Sequence, residues 1–194
     1  MSPTPSFGAW RAVILHRLDD GIERLVRQLE RLGLNATVQW ARLEPQVSPF
    51  DLVLVDADQG WDGLLPWEPG KAPVPLVALL GSEAPGRIAW AMGQGAGALI
   101  SKPVAASSVY PALVMATQMH AERRALHERI ADLEERMRLR PIVHGAVRAI
   151  MKAQAADEAG AYRTLRRTAM RRRLTIEHVA AAIVAGNEPI PDAC

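Results

Sequence analysis

FDLVLVDADQGWDG, residues 50–63, sets four apolar side chains, Leu52 to Val55, immediately before a carboxylate, Asp56. A run that is apolar on both alternating faces does not suit an edge strand facing water; it reads as a strand buried on both sides of a parallel sheet. Working outward, residues 12–15 (AVIL), 37–40 (TVQW), 76–80 (LVALL) and 98–100 (ALI) are further short runs of the same kind. Amphipathic stretches separate them. Residues 21–32 carry Ile22, Leu25, Val26 and Leu29 at helical spacing with Gly33 as the stop, and residues 88–92 make a shorter helix. Alternating strands and helices predict an α/β fold with a doubly wound five-stranded parallel sheet over residues 10–104. In such sheets functional groups collect at the carboxyl ends of strands, where Asp56 and Lys102 fall.

After Pro103 the character changes. Residues 105–139 contain no glycine and a single proline, Pro111, near the start. Apolar residues fall at Val109, Ala112, Ala116, Met119, Leu126, Ile130, Leu133 and Met137, alternating steps of three and four with Arg123 as the one break. This is a heptad seam. At 1.5 Å per residue such a helix spans roughly 50 Å, and its second half is too charged on the other faces to be buried in one domain. The pattern predicts a coiled coil over residues 105–140 that forms a parallel homodimer through Met119, Leu126, Ile130, Leu133 and Met137; packing on the following domain is the alternative.

Residues 141–186 read as a small three-helix bundle, with helices at 142–152, 160–172 and 176–184, Asp157 and Glu158 at one amino terminus and Thr175 as an N-cap. Residues 187–194 read as a flexible tail. The formal charge of +2 says little, but its distribution is uneven: Arg163, Arg166, Arg167, Arg171, Arg172 and Arg173 follow Tyr162 with no acid among them. Guanidinium groups donate in pairs to phosphate and stack on unpaired bases, and an aromatic beside them does the latter. The bland reading of the same residues is a solvated face with Tyr162 in the core.

Composition excludes much else. With 49% apolar and 23% charged residues the 194-residue chain is neither disordered nor collagen-like over most of its length. Its single cysteine, Cys194, leaves no internal disulfide, thiolate zinc site or buried cysteine nucleophile. The five histidines lack metal-ligand spacing, and no catalytic triad is visible, so no metal, no cofactor and no enzymatic activity are expected. Gly93, Gly95 and Gly97 do not open a helix after a strand, which argues against a nucleotide loop. Trp61 and Trp67, in a Gly/Pro-rich loop, suit core packing or a docking surface. No signal peptide and no span of about 20 apolar residues is present, which predicts a cytoplasmic protein without membrane contact.

Two resemblances follow from these residues. Residues 12–103 resemble response-regulator receiver domains, with Asp56 at the phospho-acceptor position and Lys102 and Pro103 matching the receiver lysine and proline. Receivers carry an acidic pair at the end of the first strand to hold magnesium; here His16 and Arg17 stand there, with Asp19 and Asp20 a few residues later and Ser82 near the expected hydroxyl. The resemblance therefore implies a pseudo-receiver in which Asp56 and Lys102 are a structural ion pair. The stretch AYRTLRRTAMRRRLTIEHVAAAIV, residues 161–184, resembles the ANTAR domain, an RNA-binding three-helix module of antiterminators; Ile142, Ala146, Ile150 and Met151 match its first helix, although Val147 and Arg148 replace the usual Lys-Gly pair. That likeness implies RNA contacts by Arg148, Lys152, Tyr162, Arg163, Arg166, Arg167, Arg171, Arg172 and Arg173. The whole arrangement is similar to antiterminators of amidase operons, which implies leader mRNA as ligand and control through sequestration by a ligand-sensing protein of periplasmic-binding fold. A phosphorylation-dependent regulator with RNA output, and a DNA-binding regulator, remain the alternatives.

Overall fold

The computed structural model describes residues 6–44 and 49–191, so Cys194 and the last of the expected tail lie outside the described residues. In chain order the elements are β1 (Arg11–Leu15), α1 (Asp20–Arg31), β2 (Asn35–Gln39), β3 (Leu52–Asp56), β4 (Leu76–Leu80), α2 (Pro85–Gly93), β5 (Ala98–Ser101), α3 (Ala106–Gln154), α4 (Glu158–Arg172) and α5 (Ile176–Val184). They fall into two compact units, Met1–Ala125 and Leu126–Cys194, with α3 supplying residues to both. Among the described residues no helix is long and apolar enough to cross a membrane.

The first unit is a parallel sheet in the order β2-β1-β3-β4-β5. All five residues of β3 are buried, as its apolar run requires of the central strand. Because side chains alternate across a strand, Leu52 and Leu54 point with Ile14, Val77, Leu79 and Ile100 into a layer closed by Ile22, Leu25 and Leu29 of α1 and by Val109, Leu113 and Ala116 of α3. Val53 and Val55 point the other way, with Leu15, Leu76, Ala78 and Leu80, onto Ala91 of α2. Each such buried side chain contributes about 1.5–3 kcal/mol relative to exposure. The connection from β3 to β4 is a loop rather than a helix, and Leu64, Leu65 and half-buried Trp67 fill that part of the second layer. Trp61 is exposed and meets Trp40 edge-to-face at 5.2 Å.

Gly97 shows why α3 can lie so close to the sheet: a Cβ there would stand 2.9 Å from the Cα of Ala116 and 3.0 Å from its carbonyl oxygen. The first part of the apolar stripe, Val109, Ala112 and Ala116, therefore serves the sheet core and not a dimer seam. Arg123, which breaks the stripe, donates to the Gly95 carbonyl at 2.7 Å.

A second difference from the sequence reading is the continuity of α3 through Pro141, which makes the expected first short helix of the bundle the end of the long one. Proline's φ is already helical; the cost, about 3 kcal/mol, is the missing donor to the Met137 carbonyl and the crowding of that carbonyl by the ring. Against it stands the apolar face that continues in register: Ala146, Val147 and Ile150, with Ile142 and Val143, pack against Ala161, Leu165 and Ala169 of α4 and Val179, Ala180 and Ile183 of α5. The side chains of Asp157 and Thr175 cap α4 and α5, accepting from Gly160 N–H at 2.8 Å and His178 N–H at 3.3 Å. Arg173 ends α4 in the left-handed region at φ 56°. The described part of the expected loose tail makes contacts: Glu188 pairs with Arg172, and Gln154 donates to the Pro191 carbonyl.

Candidate functional site

Parallel strands end together, so the register that sets Val55 beside Leu15 and Asp56 beside Leu79 gathers their polar ends at one edge. Asp56, buried, accepts from Lys102 Nζ at 2.9 Å and from the Asp58 backbone N–H at 3.0 Å through Oδ1, while Oδ2 lies 3.2 Å from His16 Nε2. His16 is also buried, and its Nδ1 sits 2.6 Å from the Arg17 carbonyl, so the Nδ1 hydrogen points there. Lys102 Nζ reaches a second carboxylate, Asp58 Oδ2, at 2.8 Å. Asp58 in turn accepts from the N–H groups of Gly81 at 2.6 Å and Ser82 at 3.2 Å and from the Ser82 hydroxyl at 3.1 Å. The result is one hydrogen-bonded cluster in which the ammonium stands between two carboxylates.

Partial burial works against the Asp58 carboxylate, but the hydrogen bonds from Lys102 and Gly81, the lysine charge and Ser82 outweigh it and hold its pKa down at about 2. Burial alone would lower the Lys102 pKa; Asp58 and Asp56 reverse that and raise it. Asp19 is not in the cluster's inner ring. Its carboxylate caps α1 through the Ile22 N–H, which lowers its pKa, and it stays 4.0 Å from His16 Nδ1.

The arrangement brings together Asp56 and Lys102 as an ion pair, sets His16 and Ser82 beside them near the receiver positions at which the sequence places them, and adds Asp58, which the sequence did not single out. The spacing held one signal: Asp58 follows Asp56 by two residues, on the same side of the chain leaving β3. A receiver's divalent cation does not fit these residues. His16 stands where a first-strand carboxylate is needed, Asp56 Oδ1 already accepts from Lys102 and from the Asp58 N–H, and among the described residues no three metal-binding side chains converge.

The second candidate surface is on the bundle. Along α4, Ala161, Thr164, Leu165, Thr168 and Ala169 are buried, and Arg163, Arg166, Arg167 and Arg171 share the opposite, exposed arc. None of these four forms an ion pair among the described residues; Arg172 does, with Glu188. Tyr162 is 43% exposed at the margin of the arc and is not a core residue. Arg148 and Lys152 are exposed on α3, and Arg173 is exposed at the α4 terminus. The stripe Met119, Leu126, Ile130, Leu133 and Met137 is exposed throughout.

With this geometry in hand, comparison with known proteins is specific. Residues 10–117 match the family described as AmiR, N-terminal, and residues 131–184 match the ANTAR domain. The aliphatic amidase regulator of Pseudomonas aeruginosa is 28% identical over 195 residues, covering 97% of this chain and 99% of that protein. The transcriptional regulatory protein PdtaR of Mycobacterium tuberculosis is 30% identical over 114 residues, 59% of this chain and 56% of that one. Among solved structures, the response regulator StyR superposes with a TM-score of 0.52 at 16% identity, covering 92% of this chain and all (100%) of that chain, a likeness of fold.

The Asp58 cluster sets an acid limit on stability. Its pKa lies below the unfolded value of about 3.9, so its contribution is complete above that pH and disappears as pH falls toward about 2. Asp58→Asn is expected to lower stability at neutral pH by roughly 1–3 kcal/mol and to flatten the loss between pH 4 and pH 2, both read from urea denaturation followed by tryptophan fluorescence.

Proposed function

The chain belongs to the AmiR N-terminal family and carries an ANTAR domain, and on that premise we propose that it is an RNA-binding regulator of transcription antitermination. The observation that carries this is the arc of arginines on α4 that no acid of the described chain neutralises. Four guanidinium groups held on a rigid helix, with the opposite face packed on α3 and α5, form an electrostatic surface whose counter-charge must come from outside the molecule. A hairpin in leader mRNA supplies it: backbone phosphates for Arg163, Arg166, Arg167 and Arg171, with Arg148, Lys152 and Arg173 extending the contact. A protein bound to such a hairpin excludes the overlapping terminator, and polymerase reads on.

The exposed stripe from Met119 to Met137 supports a parallel coiled-coil homodimer, which presents two bundles to paired hairpins and raises affinity through effective concentration. His16 in the place of a first-strand carboxylate supports control by something other than phosphoryl transfer, and the amidase regulator's relationship over nearly the whole chain supports a ligand-sensing partner of periplasmic-binding fold that sequesters the regulator in the cytoplasm. One observation favours a second reading: Asp56 with Lys102 beside it is the acid and cation of a phosphorylatable receiver.

Three outcomes are expected. In anisotropy titrations with leader-hairpin RNA, replacing Arg163, Arg166 and Arg167 together by alanine weakens binding and reduces the steepness of log K against log salt by about 2–3, as the loss of three phosphate contacts predicts. Sedimentation equilibrium finds a dimer, and Leu126→Glu with Ile130→Glu converts it to a monomer. Acetyl phosphate with magnesium leaves the intact mass unchanged; a lasting gain of one phosphoryl group establishes the second reading instead.

A further inference from the structure

The arginines at the end of α4 do not all meet solvent on the same terms. Arg172, the last residue of the helix, is paired with Glu188, whereas Arg171 and Arg173 on either side of it form no ion pair among the described residues. Glu188 arrives there because the chain turns back after α5. Gly186 takes a left-handed φ of 72°, which its missing Cβ allows, and the N–H groups of Asn187 and Glu188 then donate to the Ala182 carbonyl at 3.0 and 3.2 Å. Three residues beyond Glu188, the Pro191 carbonyl accepts from the side-chain amide of Gln154, the last residue of α3. Residues 187–191 are thereby tied to the carboxyl-terminal turns of α3, α4 and α5.

This end of the second unit is basic: Lys152 stands two residues before Gln154, and Arg171, Arg172 and Arg173 are consecutive. Into it the fold brings one carboxylate, that of Glu188. A carboxylate and a phosphodiester offer a guanidinium the same thing, two acidic oxygens on one centre at the spacing of its paired N–H donors. Both partners of the Arg172–Glu188 pair keep contact with water, at 39% and 24% exposure, so the pair is weakly held and another oxyanion can take the carboxylate's place.

We propose that Glu188 fills a phosphate subsite of the chain's own RNA surface: the folded-back segment 187–191 masks Arg172, and bound RNA displaces it, a backbone phosphate replacing the carboxylate on the guanidinium. The inference rests on the RNA reading above and adds a residue that limits how tightly RNA is held. RNA binding is weakened by the strength of the pair it breaks, which for a solvent-exposed ion pair is about 2- to 5-fold in an equilibrium constant. Gln154 contributes to the same competition without carrying charge, since its hydrogen bond to Pro191 helps keep the segment in place.

The test uses the full chain and a fluorescently labelled RNA stem-loop, titrated by anisotropy, with thermal unfolding of each variant followed by circular dichroism. Glu188→Gln keeps the size of the side chain and removes its charge; it tightens binding about 2- to 5-fold. In a chain that also carries Arg172→Ala the same change has no such effect, which separates release of the guanidinium from the general loss of one negative charge. Gln154→Ala, which alters no charge, tightens binding as well. A merely structural tie gives the opposite sign, because loosening the helix ends weakens the surface they present. If Glu188→Gln and Gln154→Ala leave binding unchanged, or weaken it together with the melting temperature, or if Glu188→Gln tightens it equally with and without Arg172, the mask is disproved and the RNA reading stands. If neither the parent nor any variant binds the stem-loop, the RNA reading falls and this inference with it.

Discussion

A parallel sheet delivers the carboxyl ends of its strands to one edge, and any charge placed there must find its partner among neighbours that the register dictates. Here Lys102, just beyond β5, supplies the ammonium for Asp56 at the end of β3 and for Asp58 two residues on. Removing one member of such a cluster leaves a buried charge uncompensated, which costs far more than the pair contributes. The cluster therefore fixes the loops that leave β3, β4 and β5 relative to one another. His16 completes it from β1 and occupies the place where phosphoryl chemistry needs a cation site.

The second unit shows the opposite treatment of charge. The cluster neutralises its groups internally, whereas α4 keeps Arg163, Arg166, Arg167 and Arg171 exposed without acidic partners. Like charges crowded on one helix repel, a cost a folded chain carries where an external anion relieves it. Arg172 is the exception, and Glu188 beyond α5 satisfies it. Two surfaces of one chain thus treat charge differently: one is neutralised within the chain, and the other is left exposed.

α3 illustrates how far a repeat can be read. Its apolar stripe has one period from Val109 to Met137, yet the chain uses it for two purposes. Val109, Ala112 and Ala116 are buried under the sheet, while Met119 and the residues after it remain exposed. Periodicity states that a face is apolar and is silent on what covers it. Pro141 likewise reads as a helix boundary, because proline lacks a donor, but the stop is overridden by the burial of Ala146, Val147 and Ile150 in register with the helix before it. The proline costs about 3 kcal/mol, and the burial of Val147 and Ile150, about 1.5–3 kcal/mol each, offsets it.

The order of strands and helices through β5, the burial of β3, the helix starts of α4 and α5, the position of Asp56 and Lys102 at strand ends and the concentration of arginine on α4 were all determined by the sequence alone. Each rests on spacing or on local backbone chemistry, which neighbours along the chain carry. The joining of His16 and Asp58 to Lys102 and the exposure of Tyr162 were decided by tertiary structure. Those depend on side chains tens of residues apart arriving within about 3 Å of each other or failing to be covered, and distance along the chain carries no record of that.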